Sequence, residues 1–158
     1  MRLTNQTNYA TRILMYCAAK ATSGENGAAT IGEVAEFYQL PQPFLFKIAK
    51  VMVDAGFLST QRGRKGGVRL SKPADEITLG EVVRATEANF ELAECFRDGE
   101  TACPLVATCG LNETLHEALE AFFAVLDRTS IADLAADNHN INVLQQLHAA
   151  TREPLPAG

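Results

Sequence analysis

The order of the residues that begin and end helices between positions 30 and 70 limits the possible folds more than any other feature of the sequence. Residues 30–33 (Thr-Ile-Gly-Glu) form a capping box, which predicts a helix that ends near Tyr38. Pro41 suits the start of a second helix after a three-residue turn, and Gly56 stops that helix at about residue 55. Two short helices joined by so tight a turn are typical of a helix-turn-helix.

A basic, glycine-rich segment follows directly. Short apolar runs at residues 57–61 and 67–70 flank it, which predicts a β-hairpin of the kind called a wing. Its glycines let the backbone approach a groove, and its cations suit phosphate contact or insertion into the minor groove of DNA. A phosphate-binding loop is disfavoured because no Gly-Lys-Ser/Thr follows the glycines, whereas an ordinary solvated hairpin stays the alternative. The cations are Arg62, Arg64, Lys65, Arg69 and Lys72.

The charge of the chain is divided unevenly. The 158 residues carry a net charge of −5, but residues 1–72 hold ten Lys/Arg and four Asp/Glu, which gives +6, and residues 73–158 sum to −11. A basic half within an acidic protein indicates a local surface for a polyanion, although solvated charges spread unevenly would look the same. The sequence has no apolar leader and no run of about 18 apolar residues, so we expect a cytoplasmic protein.

Three of the four cysteines fall within fifteen residues. Cys95, Cys103 and Cys109 have the spacing C-x7-C-x5-C, and two glycines and a proline interrupt the segment, which predicts an irregular loop. Such a loop can turn three thiols toward one point, and three thiolates suit a metal ion or an iron–sulfur cluster. Disulfides are disfavoured by the odd number and by a reducing compartment. Cys17 lies in an apolar helical pattern and is expected in the core.

A long amphipathic helix is predicted after Gly110, beyond a shorter helix that the capping box at residues 78–81 opens. Its apolar stripe is wide enough for a partner helix, so we expect a two-fold homodimer that presents two reading heads to a palindromic site. The alternative is that the stripe packs within its own domain. The stripe consists of Leu111, Leu115, Ala118, Leu119, Phe122 and Leu126, widened by Phe123 and Val125.

Together these elements predict a mainly α fold with a small β-hairpin wing, namely a winged helix-turn-helix domain plus a long dimerisation helix. Further helices are expected over residues 5–21, 131–136 and 141–148. The expected divisions are a DNA-binding domain at 1–76, a linking helix and cysteine loop at 77–110, dimerisation and C-terminal helices at 111–148, and a flexible tail at 149–158.

Several short motifs together resemble one bacterial family. They are Leu3-Thr4, Thr7-Asn8-Tyr9-Ala10, Lys47-Ile48, Ala55-Gly56-Phe57-Leu58, Arg62-Gly63-x-x-Gly66-Gly67-Val68-Arg69-Leu70, and the three cysteines before a long helix. Over about residues 1–148 the chain resembles the IscR/NsrR/RirA superfamily of winged-helix regulators. The likeness is greatest to the RirA group, in Phe44-Leu45-Phe46-Lys47-Ile48 and in Cys103-Pro104-Leu105-Val106.

The resemblance implies a cluster-dependent repressor of iron-uptake genes. It implies an iron–sulfur cluster of the 4Fe-4S type held by Cys95, Cys103 and Cys109, with repression when the cluster is bound. Asn8 stands where proteins like NsrR use an aspartate as the fourth cluster ligand, and Asn112 stands where regulators like IscR have a histidine. Because both are neutral and weaker ligands, we expect one exposed iron and a labile cluster, as an iron sensor requires.

The resemblance and the basic hairpin together predict double-stranded DNA with a palindromic operator as the partner. Base contacts from the second helix of the helix-turn-helix rest on few side chains, because Pro41 and Pro43 occupy positions that are often polar in relatives. The expected DNA-binding residues are Arg12, Gln42, Phe44, Lys47, Arg62, Arg64, Lys65 and Arg69.

Other functions stay open. The cysteines could hold structural zinc with His116 as a fourth ligand, stay reduced in a purely structural loop, or sense nitric oxide or redox state through a cluster. An enzyme is disfavoured, because the three histidines are scattered and no serine or cysteine nucleophile has an evident base partner.

Overall fold

Helices make up most of the described chain, with one small β-hairpin after the third helix. The computed structural model describes residues 2–22, 28–63, 66–96 and 103–137. The helices are α1 (Asn5–Thr22), α2 (Ile31–Tyr38), α3 (Gln42–Asp54), α4 (Leu79–Thr86), α5 (Gly110–Leu126) and α6 (Ile131–Asp137), and the strands are β1 (Leu58–Gln61) and β2 (Gly67–Leu70). Single 3₁₀ turns lie at Ala74–Glu76, Glu94–Phe96 and Val106–Thr108. The predicted helix at 141–148 and the predicted tail at 149–158 lie outside the described residues.

Local signals account for the helix-turn-helix. The Thr30 hydroxyl accepts a hydrogen bond from the Glu33 N–H at 3.1 Å, and the Glu33 carboxylate accepts one from the Thr30 N–H at 2.7 Å, so both halves of the capping box are formed. The helix stops at Gln39, whose φ of +52° is left-handed. Pro41 then precedes α3, and the left-handed Gly56 follows it. The predicted pair of helices is confirmed.

The hairpin is stabilised from the side by a third segment. β1 and β2 pair antiparallel in a register that runs from Leu58 opposite Leu70 to Gln61 opposite Gly67. Ala29, in the chain before α2, forms a bridge to Val68 through two backbone hydrogen bonds of 2.8 Å each. The wing is therefore attached through β2 to the segment before α2, and its position does not depend on α3 alone.

The core forms around α1. Its inward side chains, among them Ile13, Leu14 and Cys17, are fully buried against α3, α4 and α6. α6 returns to this core from the far end of the described chain, because the Ile131 N–H donates to the Ile77 carbonyl at 2.8 Å and the Ile131 side chain is fully buried. α6 thus packs with the N-terminal helices, while the domain boundaries proposed above stay a prediction.

The apolar stripe of α5 is left open by the rest of the described chain. No α5 side chain is buried, and Leu111 and Val125 are 64% and 53% exposed. At its C-terminal end α5 is attached to α4, where the Arg84 guanidinium makes two hydrogen bonds to Asp127, at 2.6 and 2.8 Å, and lies 4.1 Å from the centroid of the Phe123 ring. α5 is therefore attached to α4 at its C-terminal end, and the side chains of its stripe are half-buried or exposed among the described residues.

None of the helices among the described residues is long and apolar enough to cross a membrane.

Candidate nucleic-acid interface and cysteine site

The first turns of α3 present three of the predicted DNA-binding side chains to solvent. Gln42, Phe44 and Lys47 are exposed, while Leu45 and Ile48 point into the core and fix the orientation of the helix. The Phe44 ring is 42% exposed and meets the ring of Tyr9 edge-on, with 5.7 Å between the centroids. This contact joins the exposed end of α3 to α1.

Arg12 extends the same surface on α1. Its guanidinium lies 5.7 Å from the centroid of the Tyr9 ring and 5.5 Å from that of Tyr38, and the residue is half-buried. Two ring faces therefore hold this cation in place. Arg12, Tyr9 and Phe44 form a continuous cationic and aromatic edge beside the first turn of α3.

The described part of the wing carries exposed cations near its turn. Arg62 and Arg69 are exposed, and Arg69 Nε donates to the Ser59 hydroxyl oxygen at 3.4 Å. Arg64 and Lys65 lie outside the described residues. Lys72 does not belong with these cations, because its ammonium pairs with the Glu81 carboxylate at 3.1 Å. The grouping of five wing cations is therefore corrected, since the charge of Lys72 is used to connect the hairpin to α4.

A groove of about 570 Å³ separates α3 from the hairpin. Phe46, which is 54% exposed, lines this groove together with Val53 and Thr60. Sequence reasoning did not include Phe46 among the candidate DNA-binding residues. The available signal was an aromatic residue next to the inward stripe of a short helix, at a position where an exposed side chain is normally polar.

The three clustered cysteines lie in turns and extended chain, as predicted for the described parts of the segment. Cys95 is half-buried in the turn Glu94–Phe96, Cys103 is exposed, and Cys109 is half-buried directly before α5. All are reduced thiols. Cys109 occupies the N-cap position, but its side chain makes no capping hydrogen bond, which leaves the thiol available as a ligand.

These thiols are not gathered around a single point. Across residues 2–22, 28–63, 66–96 and 103–137, no three His, Cys, Asp or Glu side chains form a group that could hold a metal ion. Three thiolates with one imidazole nearby are nonetheless a donor set whose softness suits iron–sulfur chemistry. The donor set fits the implied cluster by chemistry, and the described geometry does not supply a preformed site for one ion.

His116 connects two parts of the cysteine segment. Its ring stacks on that of Phe96, the neighbour of Cys95, with 4.2 Å between centroids and 10° between planes. Its Nδ1 lies 2.8 Å from the Asn112 carbonyl oxygen. His116, Cys109 and Asn112 also line one cavity of about 530 Å³ at the start of α5. Sequence reasoning considered His116 only as a zinc ligand, because the contact with Phe96 cannot be read from spacing.

The two asparagines that the resemblance suggests as candidates for the fourth ligand lie on different helices. Asn8 is exposed on α1, and Asn112 is half-buried on α5 near Cys109. Asn112 lines a cavity together with Cys109, whereas Asn8 does not line that cavity.

Glu87 connects the end of α4 to the start of α1. Its carboxylate accepts hydrogen bonds from the Thr4 N–H at 2.7 Å, from the Thr4 hydroxyl at 3.0 Å and from the Thr7 hydroxyl. Burial alone would raise the pKa of Glu87, but these donors outweigh that effect and hold the pKa below its ordinary value. A cavity of about 630 Å³ lies beside this contact, lined by residues 2–6, Phe44 and residues 86–91.

Comparison with known proteins finds one matching family model, similar sequences and solved structures with a similar fold. A family model described as Rrf2, iron-dependent transcriptional regulator, matches residues 3–137. Protein aau3 of Rhizobium meliloti (strain 1021) is 52% identical over 152 residues, covering 96% of each chain. The HTH-type transcriptional regulator NsrR of Bacillus subtilis (strain 168) is 38% identical over 147 residues, covering 93% of this chain and 99% of its own. Among solved structures, T. potens IscR matches in fold with a TM-score of 0.69 and 18% identity, covering 89% of this chain and 90% of its own.

Proposed function

Because this chain belongs to the Rrf2 family of transcriptional regulators and is not an enzyme, we propose that it is an iron-responsive DNA-binding repressor whose cofactor is an iron–sulfur cluster. The observation that carries the proposal is the contact of Glu87 with the start of α1. Glu87 ends α4 and leads toward Cys95, and its partners lie beside Phe44 at the exposed end of α3. A conformational change at Cys95 can therefore alter the DNA-reading surface through the chain between Cys95 and Glu87 and through the hydrogen bonds of Glu87.

The first turn of α3 is proposed to read the major groove. In a helix-turn-helix the N-terminal residues of the second helix contact base edges, which here are Gln42, Phe44 and Lys47. The wing cations, together with Arg12, then contact phosphates or the adjacent minor groove. Arg62 and Arg69 are the described members of that set, and Arg64 and Lys65 complete it by sequence.

The wing assignment is tested by the salt dependence of DNA binding. Arg62→Ala should weaken binding to duplexes selected from a random-sequence pool and reduce the slope of log K against log salt by about one, because one phosphate contact is lost. Arg128→Ala is the matched control, since Arg128 is an exposed cation after α5. Equal slopes for the parent and Arg62→Ala would show that the hairpin does not contact DNA.

Cys95, Cys103 and Cys109 are the proposed cluster ligands, with Asn8 and Asn112 as weak candidates for the remaining position. When bound, the cluster supplies iron whose loss or reaction reports the iron supply. The chain's own contribution is to hold the turn Glu94–Phe96 and the start of α5 in one arrangement. That arrangement is the one proposed to favour DNA binding. The cluster shifts the protein toward it only to the extent that this arrangement binds the cluster more tightly than the alternative arrangement does.

The cluster requirement is tested by anaerobic reconstitution with iron and sulfide, followed by titration with an iron chelator. DNA affinity should fall as the visible absorbance of the cluster is lost, and Cys103→Ser should be low in affinity throughout. Cys17→Ser, in the core, is the matched control. Equal affinity of the reconstituted and chelator-treated forms would refute iron-dependent repression.

Nitric oxide or redox sensing is the second candidate, favoured by the 38% identity to NsrR. Treating the reconstituted protein with a nitric oxide donor at constant free iron distinguishes the two signals. Release of DNA under nitric oxide but not under chelator would assign the signal to nitric oxide. Structural zinc is disfavoured by the dispersed positions of the cysteines among the described residues.

A homodimer is proposed from the open stripe of α5. Val125→Glu places a charge on the stripe and should convert the dimer to monomer in sedimentation experiments. Ala124→Glu, whose side chain is exposed and lies on the face of α5 opposite the centre of the stripe, is the matched control. A Val125→Glu protein that stays dimeric would show that α5 is not the interface.

A further inference from the structure

We propose that the Nε2 atom of His116 is the fourth protein ligand of the iron–sulfur cluster, an inference that rests on the cluster proposed above. Neither Asn8 nor Asn112 is a strong iron ligand. His116 is the one imidazole among the described residues, which are 2–22, 28–63, 66–96 and 103–137, and it shares a cavity with Cys109.

The hydrogen bond at Nδ1 selects the tautomer that a ligand needs. The Asn112 carbonyl oxygen, 2.8 Å from Nδ1, can only accept, so Nδ1 carries the proton. In the neutral ring Nε2 then has a free lone pair. Histidine ligands in metalloproteins almost always donate their other ring N–H to a carbonyl, a carboxylate or water, which orients the ring and raises the basicity of the ligating nitrogen.

The stack on Phe96 fixes the plane of the ring. Parallel rings with centroids 4.2 Å apart leave His116 little freedom to turn. Because Phe96 follows Cys95 directly, the same contact holds the first cysteine turn against α5. The imidazole is thus positioned between the segment of Cys95 and the helix that begins at Cys109.

The helix geometry places His116 on the same face as the third cysteine. Residues seven apart differ by about 20° around an α-helix, and helical side chains lean toward the N-terminus. Cys109, Asn112 and His116 accordingly line one cavity, with His116 one turn beyond Asn112. No three His, Cys, Asp or Glu side chains form a preformed group among the described residues, so cluster binding would require the turns that carry the cysteines to approach His116.

Glu113 is the competing group in this cavity. Its carboxylate is a hard ligand and matches iron in a sulfide cluster less well than imidazole does. Glu113→Gln is therefore the matched control on the same face of α5, and it should leave the cluster unchanged.

The test is pulsed EPR of the full-length protein, reconstituted anaerobically with iron and sulfide and reduced by one electron with dithionite. The spectrum should contain a strong nitrogen hyperfine coupling that changes to the ¹⁵N pattern in protein grown with ¹⁵N-histidine. The coupling should be absent in His116→Ala and His116→Gln and kept in Glu113→Gln and His148→Ala. Chelator should remove iron from His116→Ala at least about tenfold faster, since even an outer-shell partner of a metal ligand is worth 10–100-fold in affinity.

The outcomes separate this inference from the proposed function. A parent cluster without histidine coupling, or coupling that survives His116→Ala, overturns the assignment of His116 and leaves the cluster proposal standing. Failure of the parent to take up any cluster overturns both. The isotope measurement is made on the parent protein, so it decides the assignment even where a variant folds poorly.

Discussion

The hydrogen bonds between β2 and the segment before α2 can be tested by a substitution at Gly67. A methyl group on Gly67 would lie 2.4 Å from the Ala29 carbonyl oxygen and 2.7 Å from the Ala29 carbonyl carbon. Both are backbone atoms, so no side-chain rotation can relieve the overlap. Gly67→Ala therefore requires the segment before α2 to move away from β2, which breaks the bridge between Ala29 and Val68.

The size of the effect follows from what that movement costs. The bridge consists of two backbone hydrogen bonds of 2.8 Å, each worth about 0.5–1.5 kcal/mol net. Overpacking that is relieved by a backbone shift costs about 1–3 kcal/mol, and the two figures describe one event and do not add. Loss of glycine flexibility in the unfolded chain returns about 0.4–1 kcal/mol. After this return is subtracted from the cost, we expect Gly67→Ala to lower the free energy of unfolding by about 0.5–2.5 kcal/mol.

Urea unfolding followed by circular dichroism measures this difference. Gly32→Ala is the control, because a methyl group there would make only ordinary contacts, with the Gln42 side-chain nitrogen at 3.5 Å and the Thr30 hydroxyl oxygen at 3.8 Å. Within a helix that change should stabilise the protein by about 0.5–1 kcal/mol. A Gly67→Ala protein within about 0.5 kcal/mol of the parent would refute the argument that the backbone at Ala29 is rigid.

Further predictions concern the core thiol, a capping carboxylate and a buried hydroxyl. Burial raises the pKa of the Cys17 thiol to about 12, so iodoacetamide at pH 8 should modify the three clustered cysteines of the cluster-free protein and spare Cys17, as read by peptide mass spectrometry. The Thr78 N–H donates to Glu81 and holds the pKa of that carboxyl below its ordinary value. The charged carboxylate of Glu81 therefore stabilises the protein above the ordinary pKa, and this stability is lost as pH falls through the lower pKa of the folded state. Between about pH 5 and 3, urea titrations should show that the parent loses stability more steeply than Glu81→Gln does. Parallel curves for the two proteins would contradict this. Thr7→Val removes the buried hydroxyl that contacts Thr86 at 2.7 Å and should cost about 1–3 kcal/mol in thermal denaturation, whereas an unchanged Tm would be evidence against the contact.

Local chemistry made most of the fold predictable. The two capping boxes, Pro41 and Gly56 set helix ends that the structure places within one or two residues of the predictions, because each signal acts on backbone groups a few residues away. The winged-helix class and the resemblance to the regulator superfamily are confirmed by the family match and by the likeness to T. potens IscR.

The candidate site was less predictable, because its contacts join distant parts of the chain. Lys72 looked like a wing cation by sequence, but its pairing with Glu81 depends on where α4 packs. Arg12 was predicted as a DNA-binding residue, but the sequence did not show that Tyr9 and Tyr38 flank its guanidinium. No spacing rule relates residues whose side chains meet through packing of separate helices.

The sequence alone determined the order of helices, the basic hairpin and the supply of three thiols, since periodicity, caps and composition are local properties. Only the tertiary structure decided that no other described segment buries the stripe of α5, that Glu87 connects α4 to α1, and that His116 stacks on Phe96 beside Cys95. Each of these features depends on which elements pack against each other, and the free energy that selects one packing comes from burial summed over the whole core. The spacing of motifs in the sequence therefore does not predict these features.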